Sequence, residues 1–256
     1  MSKKGLVWAG IALVALLAFV VCIGFIVGRS AMEKRCKEIE KFVELGEEAC
    51  GKNDAQQAVE QLTRAEELMK ALEEDGVEVD EELKAQLYYD LAWAHYSRTS
   101  EGHPNHLDVA LYYVRNFIRI LSKEIEIEFN VPHGYYIAGL VSEAKFDEII
   151  TASNTMFAAR HNREMLDDAI RYYEQALDCE GLDNKFLSDI YYSLGGAHET
   201  LAIHVEPDDR QIPTLWMAKD FYQKAANANP DNKKARADAE RIPKLIESII
   251  TPLSLP

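Results

Sequence analysis

The sequence predicts an all-α chain: a solenoid of about four antiparallel helix pairs, closed by a capping helix and preceded by one transmembrane helix. Three observations predict it. From Met32 onward, apolar residues recur at helical spacing almost everywhere. Short patterns in the second half repeat patterns in the first. And Gly5 to Gly28 is a run of 24 residues without a charge.

The uncharged run comes first in the chain. At about 1.5 Å of rise per residue, a helix of that length covers the roughly 30 Å hydrocarbon core of a bilayer. It exceeds the apolar run of a signal peptide, and no small-x-small pattern closes it before Arg29. Val21 before Cys22 is too bulky for lipoprotein processing. The expectation is therefore a single-pass membrane protein: a tail (1–4), a membrane helix (5–28) and a juxtamembrane helix (29–38). Lys3 and Lys4 on one flank balance Arg29, Lys34, Arg35 and Lys37 on the other, so the side is left open. Cys36, Cys50 and Cys179 form no metal or disulfide spacing, and no Asn-x-Ser/Thr acceptor occurs. Both lean towards a reducing side, with a bacterial periplasm as the alternative.

From Arg29 on, 26 cations face 43 anions, a net charge of −17. Nucleic-acid binding needs clustered Lys and Arg, so this balance argues against it. Turn residues divide the helical region at Asp75-Gly76, at Glu101 to Asn105, across Asn130 to Gly139, at Glu180-Gly181, from Glu206 to Pro213, and at Asn229-Pro230-Asp231. The alternation Glu124 to Phe129 is too isolated to build a sheet.

Between these breaks the chain repeats itself. Tyr88 to His95 and Tyr191 to His198 share YYxLxxAH at an offset of 103. Three expected second helices also match: Ala58 to Leu62, Ala169 to Tyr173 and Ala218 to Tyr222, each followed by an alanine at Ala65, Ala176 or Ala225. Small residues let one helix approach its partner while the large residue fills the gap beside it. In these residues the chain resembles the tetratricopeptide repeat family. Phe42-x2-Leu45-Gly46-x2-Ala49 and Ala58-x3-Leu62 stand in the family's register over about Ile39 to Leu72. Tyr191-x2-Leu194-Gly195-x2-His198 and Ala218-x3-Tyr222 do so over Phe186 to Pro230, with about eleven extra residues between the two helices. The second unit (about Asp80 to Lys123) keeps a good first helix. The third (about Ser142 to Cys179) keeps the second, with Ser153, Met156 and Phe157 in place of the first-helix signature. The resemblance implies a solenoid over 39–230, with extended loops inside the second and fourth units. A capping helix at 231–250 would turn Lys233, Lys234, Arg236, Asp238 and Glu240 to water, and a tail (251–256) follows.

Catalytic constellations are scarce. No HExxH, GxSxG, Gly-rich phosphate loop or calcium loop occurs, and the reading is of a non-enzyme without metal or cofactor. His103 and His106 read as a solvated turn, and His95 and His198 as packing residues at equivalent helix positions. The more informative feature is Tyr89, Trp93 and Tyr96, at i, i+4 and i+7 on one helix face. The resemblance turns that face towards a partner-binding groove, with Tyr192 as the counterpart of Tyr89 in the last unit and Asn154 as its approximate counterpart in the third. The alternative is that the stripe is core. The family's carboxylate clamp is missing, because Val43, Glu47, Asp90, Thr151 and Thr155 stand at its positions. The expected function is a membrane-anchored scaffold whose solenoid binds a protein partner, neutral or basic or offering a large apolar surface. An accessory subunit of a larger membrane complex, and a receptor for a small or lipid-like ligand held by the aromatic stripe, are the rivals.

Overall fold

The computed structural model describes residues 31–100, 105–123, 131–153 and 155–250. Among them the regular elements are all helical and no strand occurs. By backbone contacts the chain divides into two units, Met1–Leu83 and Lys84–Pro256.

Among the described residues the first unit is built on a helix pair. Helix α1 covers residues 31–51 without a break at 38, and α2 runs over Ala55–Glu74. Asn53 turns the chain with φ 57, and the Asp54 carboxylate caps α2 by accepting from the Gln57 N–H at 2.9 Å. Ile39, Val43, Ala58, Leu62, Ala65 and Met69 are buried where the helices meet. A Cβ on Gly46 would lie 2.5 Å from the Leu62 side chain, so the close approach needs glycine there. Helix α2 ends at Gly76 (φ 77), where the Gly76 and Val77 N–H groups donate to the Glu73 and Leu72 carbonyls. That is the glycine-terminated helix end in which only a residue without Cβ enters the left-handed region freely.

The second unit is a series in which each helix packs on the next. It comprises α3 (Glu81–Ser100, which starts just ahead of the unit boundary), α4 (His106–Leu121), α5 (Val131–Ser153), the short α6 (Met156–His161), α7 (Arg163–Leu177), α8 (Asn184–His204), α9 (Asp208–Ala228) and α10 (Lys233–Ile250). Helices α5 and α7 form one close pair, α8 and α9 another, and α10 packs on α9. The reason is visible in each helix's buried stripe. In α7 it is Leu166, Ala169, Tyr173 and Ala176, and in α10 Ala235, Ala239, Ile242 and Ile246, both at helical period. Glycine again sets the pairing. A Cβ on Gly139 would meet the Tyr173 ring at 2.3 Å, and one on Gly195 the Tyr222 ring at 2.5 Å.

The structure departs from the sequence expectations in three places. Residues 131–139, expected as a break, form the first turns of α5. Pro132 lies in the first turn, where a missing N–H leaves no helix bond unmade. Gly134 and Gly139 are there because the rings of Phe117 and Tyr173 lie against them. Ser153 closes α5, and Met156 and Phe157, 55% and 80% exposed, start α6, so they carry no first-helix signature. The expected loop of the fourth unit shrinks to residues 205–207, because α9 begins at Asp208 and contains Pro213.

The single-pass membrane reading is also corrected: no helix among the described residues is long and apolar enough to cross a membrane. Every such helix longer than α6 carries charged residues within its length. The segment 5–28 on which that reading rested lies outside the described residues, as do the tails 1–4 and 251–256, His103 and the alternation 124–129.

Candidate functional site

Helices α3, α5 and α8 carry matching positions. Gly139 and Gly195 fix the register, since each lies under a tyrosine of the following long helix. Ala92 is the equivalent of those glycines in α3 by the shared YYxLxxAH pattern. Three residues before these positions stand Tyr89, Tyr136 and Tyr192, and four residues after them stand Tyr96, Glu143 and Glu199. In this register Tyr136 stands in α5 where Tyr89 stands in α3, and Asn154, the counterpart expected from the sequence, lies outside the described residues.

All three stripe residues on α3 are half-buried. Tyr89 leans on the packing between helices, its ring 6.2 Å from that of Phe117. Trp93 and Tyr96 pair with each other at 6.3 Å. Burial pushes the Tyr96 hydroxyl up to about 12, helped by the nearby Glu143, Tyr136 and Asp147 of α5. Tyr192 donates to Asp238 Oδ2 at 2.8 Å, and Lys234 lies 5.0 Å from its ring centre. The structure brings Tyr96 together with α5, while Tyr192 belongs with α10 one step further on.

Two tyrosine–glutamate pairs repeat along this face. Tyr173 Oη donates to Glu143 Oε2 at 2.7 Å, and Tyr222 Oη donates to Glu199 Oε2 at 2.8 Å. Their electrostatics differ. Arg241 grips Glu199 with two N–H donors, each at 2.7 Å, and also reaches Asp238 Oδ1 at 3.0 Å. This fork geometry is the strong, charge-assisted kind. Its hydrogen bonds to Glu199 hold the Arg241 guanidinium above its ordinary range. Among the described residues no ion pair reaches Glu143, and burial pushes its carboxyl up to about 7 against the opposing Tyr173 hydrogen bond, with Asp147 adding to the rise.

The histidines do not build a reactive centre. His95 lies Nδ1 to Nδ1 against His106 at 2.7 Å, and burial lowers it to about 4. His198 is buried with its ring stacked on Phe221 at 5.2 Å, and both its nitrogens lack a hydrogen-bond partner. His133 stacks on Phe186 at 3.9 Å. No group of three or more metal-ligating side chains occurs among the described residues. The face can therefore stack on apolar or planar groups and attract cations.

Tyr136, Glu143 and Arg241 belong to this candidate site and were not singled out from the sequence. The signal for the first two was present, because Tyr135-Tyr136-x2-Gly139-x3-Glu143 repeats Tyr191-Tyr192-x2-Gly195-x3-Glu199 at an offset of 56. Reading Asn130 to Gly139 as a break hid it. Arg241 carried no signal beyond its place on a capping helix. Comparisons with protein-family models and with curated proteins find no match for this chain.

Proposed function

We propose that this chain is a non-enzymatic scaffold built from helix pairs of the tetratricopeptide type, and that the α3–α5–α8 face of its second unit binds a protein partner. The observation that carries the reading is the half-buried aromatic face itself. Trp93 and Tyr96 keep partly open surface, Tyr96 near Tyr136 and Glu143, instead of sinking into the core, where Tyr173, Leu194 and Ala197 are sealed. Tyrosine and tryptophan with polar tips supply contact area at low entropy cost, which is what a recognition surface needs. The repeated Gly–large-residue pairs at Gly46, Gly139 and Gly195 support the family likeness.

Trp93→Ala in the full chain tests the reading. Partner polypeptides enriched from cells by the parent protein should bind the variant about 2 kcal/mol more weakly, with little change in melting temperature. If Trp93 is core, the same change costs about 3 to 5 kcal/mol of folding stability and leaves binding to the remaining folded protein intact.

A second reading, a subunit of a stable complex, is favoured by one observation. Trp216 and Met217 on α9 are 43% and 49% exposed and adjacent, the kind of apolar surface that a permanent interface covers.

A further inference from the structure

The two steps that end on α8 and α10 are built alike. Tyr136 Oη lies 3.4 Å from Ser193 Oγ on the next first-position helix, as Tyr192 Oη lies 2.8 Å from Asp238 Oδ2. Ser193 and Asp238 are 45 residues apart, and the same offset carries Gly196 onto Arg241. The contacts agree with that register. A Cβ on Gly196 would lie 3.5 Å from Glu143 Oε1, and Arg241 is the residue that holds Glu199. The described residues thus contain the same glutamate–tyrosine pair twice, once with a guanidinium seated on it and once with a glycine where that side chain would start.

Resting on the docking face proposed above, we propose that Glu143 is the seat for one basic side chain, arginine or lysine, of the partner polypeptide, entering over Gly196 as Arg241 does at the next step. The surroundings suit a cation. Trp93, Tyr96 and Tyr136 offer aromatic faces, and cations are favoured over such rings. Asp147 adds a second anion, and the chain as a whole carries −15. A Cβ at Gly196 would clash with nothing, because beside Glu143 Oε1 it meets Tyr222 Oη at an ordinary contact distance of 3.9 Å. A fork-shaped guanidinium matches a carboxylate better than an ammonium does, so arginine should be preferred.

The test uses the full chain and blocked nonapeptides carrying one central arginine between tyrosine and alanine residues, with a second set in which citrulline, neutral but of the same shape, replaces the arginine. Binding is measured by titration calorimetry at pH 8, where the Glu143 carboxyl is ionised. The other titratable groups about it are Tyr96 from α3, Tyr136 and Asp147 from α5, Tyr173 from α7, and His204 of α8, which acts on Asp147. Arginine peptides should bind at least tenfold more tightly than citrulline peptides. Glu143→Gln, which can still accept from Tyr173, should abolish that preference while the far-ultraviolet circular dichroism stays unchanged. Gly196→Arg should fill the seat internally, raise the melting temperature, and remove the preference as well. Equal binding of the two peptide sets, or a preference that survives Glu143→Gln, overturns the proposal. Where Trp93→Ala weakens peptide binding and Glu143→Gln does not, only the cation seat fails. No binding of either set to the parent chain counts against both the seat and the docking face.

Discussion

At the scale of single residues, the difference between Glu143 and Glu199 is the most informative feature of the face. Both accept a hydrogen bond from a tyrosine, but only Glu199 has a guanidinium against it. Burial without a counter-charge favours the neutral acid, so Glu143 rises from 4.5 to about 7. The sign of the consequence follows from proton counting. Between pH 4.5 and 7 the folded chain holds a proton here that the unfolded chain releases, so stability is greatest at the acid end of that window, falls as pH rises through it, and levels off above it. Glu143→Gln removes this dependence. Denaturant unfolding at pH 5 and pH 8 should show the variant gaining on the parent by on the order of 2 kcal/mol across the interval. A constant difference between the two proteins would mean that Glu143 titrates as an ordinary surface carboxylate.

At the scale of helices, adjacent glycines on α8 do different work. Gly195 lies under the Tyr222 ring, which is tied at its far end to Glu199, so an added methyl has nowhere to go. Gly195→Ala should destabilise by about 1 to 3 kcal/mol through overpacking, even though alanine is the better helix former. Gly196 meets only ordinary contact distances, and Gly196→Ala should stabilise by about 0.5 to 1 kcal/mol. Thermal unfolding of the pair checks both signs at once.

The same helices show what was legible in the sequence. Amphipathic spacing and the Ala-x3-large pattern placed α2, α7 and α9 as packed second helices, because burying one stripe leaves a period that can be counted. Helix α5 was not legible. Its Pro132, Gly134 and Gly139 are breakers by local propensity, and only the rings of Phe117 and Tyr173 against those glycines explain why the helix runs through them. Tertiary packing overrode propensity there, and misplacing one helix moved the counterpart of Tyr89 from Tyr136 to Asn154. The polar face of α10 was legible at Lys233, Lys234, Arg236 and Glu240, which are exposed, but not at Asp238, which accepts from Tyr192. Hydrogen bonds between residues 46 apart leave no periodic trace.

At the scale of the whole molecule, the net charge bears on the basic partner proposed above. A chain of −15 repels acidic partners and attracts basic ones over a range that salt shortens to about 10 Å at 0.1 M. Close in, the aromatic face and Glu143 would discriminate. That face is a docking surface only if Trp93 is open to solvent in the free protein and covered in the complex. Residue-resolved oxidative footprinting of the full chain, alone and with its enriched partner, measures this directly, with Trp216 at 43% exposure as the reference for an open tryptophan and Tyr173, 0% exposed, as the reference for a sealed ring. The expected result is a Trp93 that reacts in the free protein at a rate near that of Trp216 and becomes protected with the partner bound. A Trp93 as unreactive as Tyr173 in the free protein, or one whose rate is the same with and without partner, would contradict the docking face.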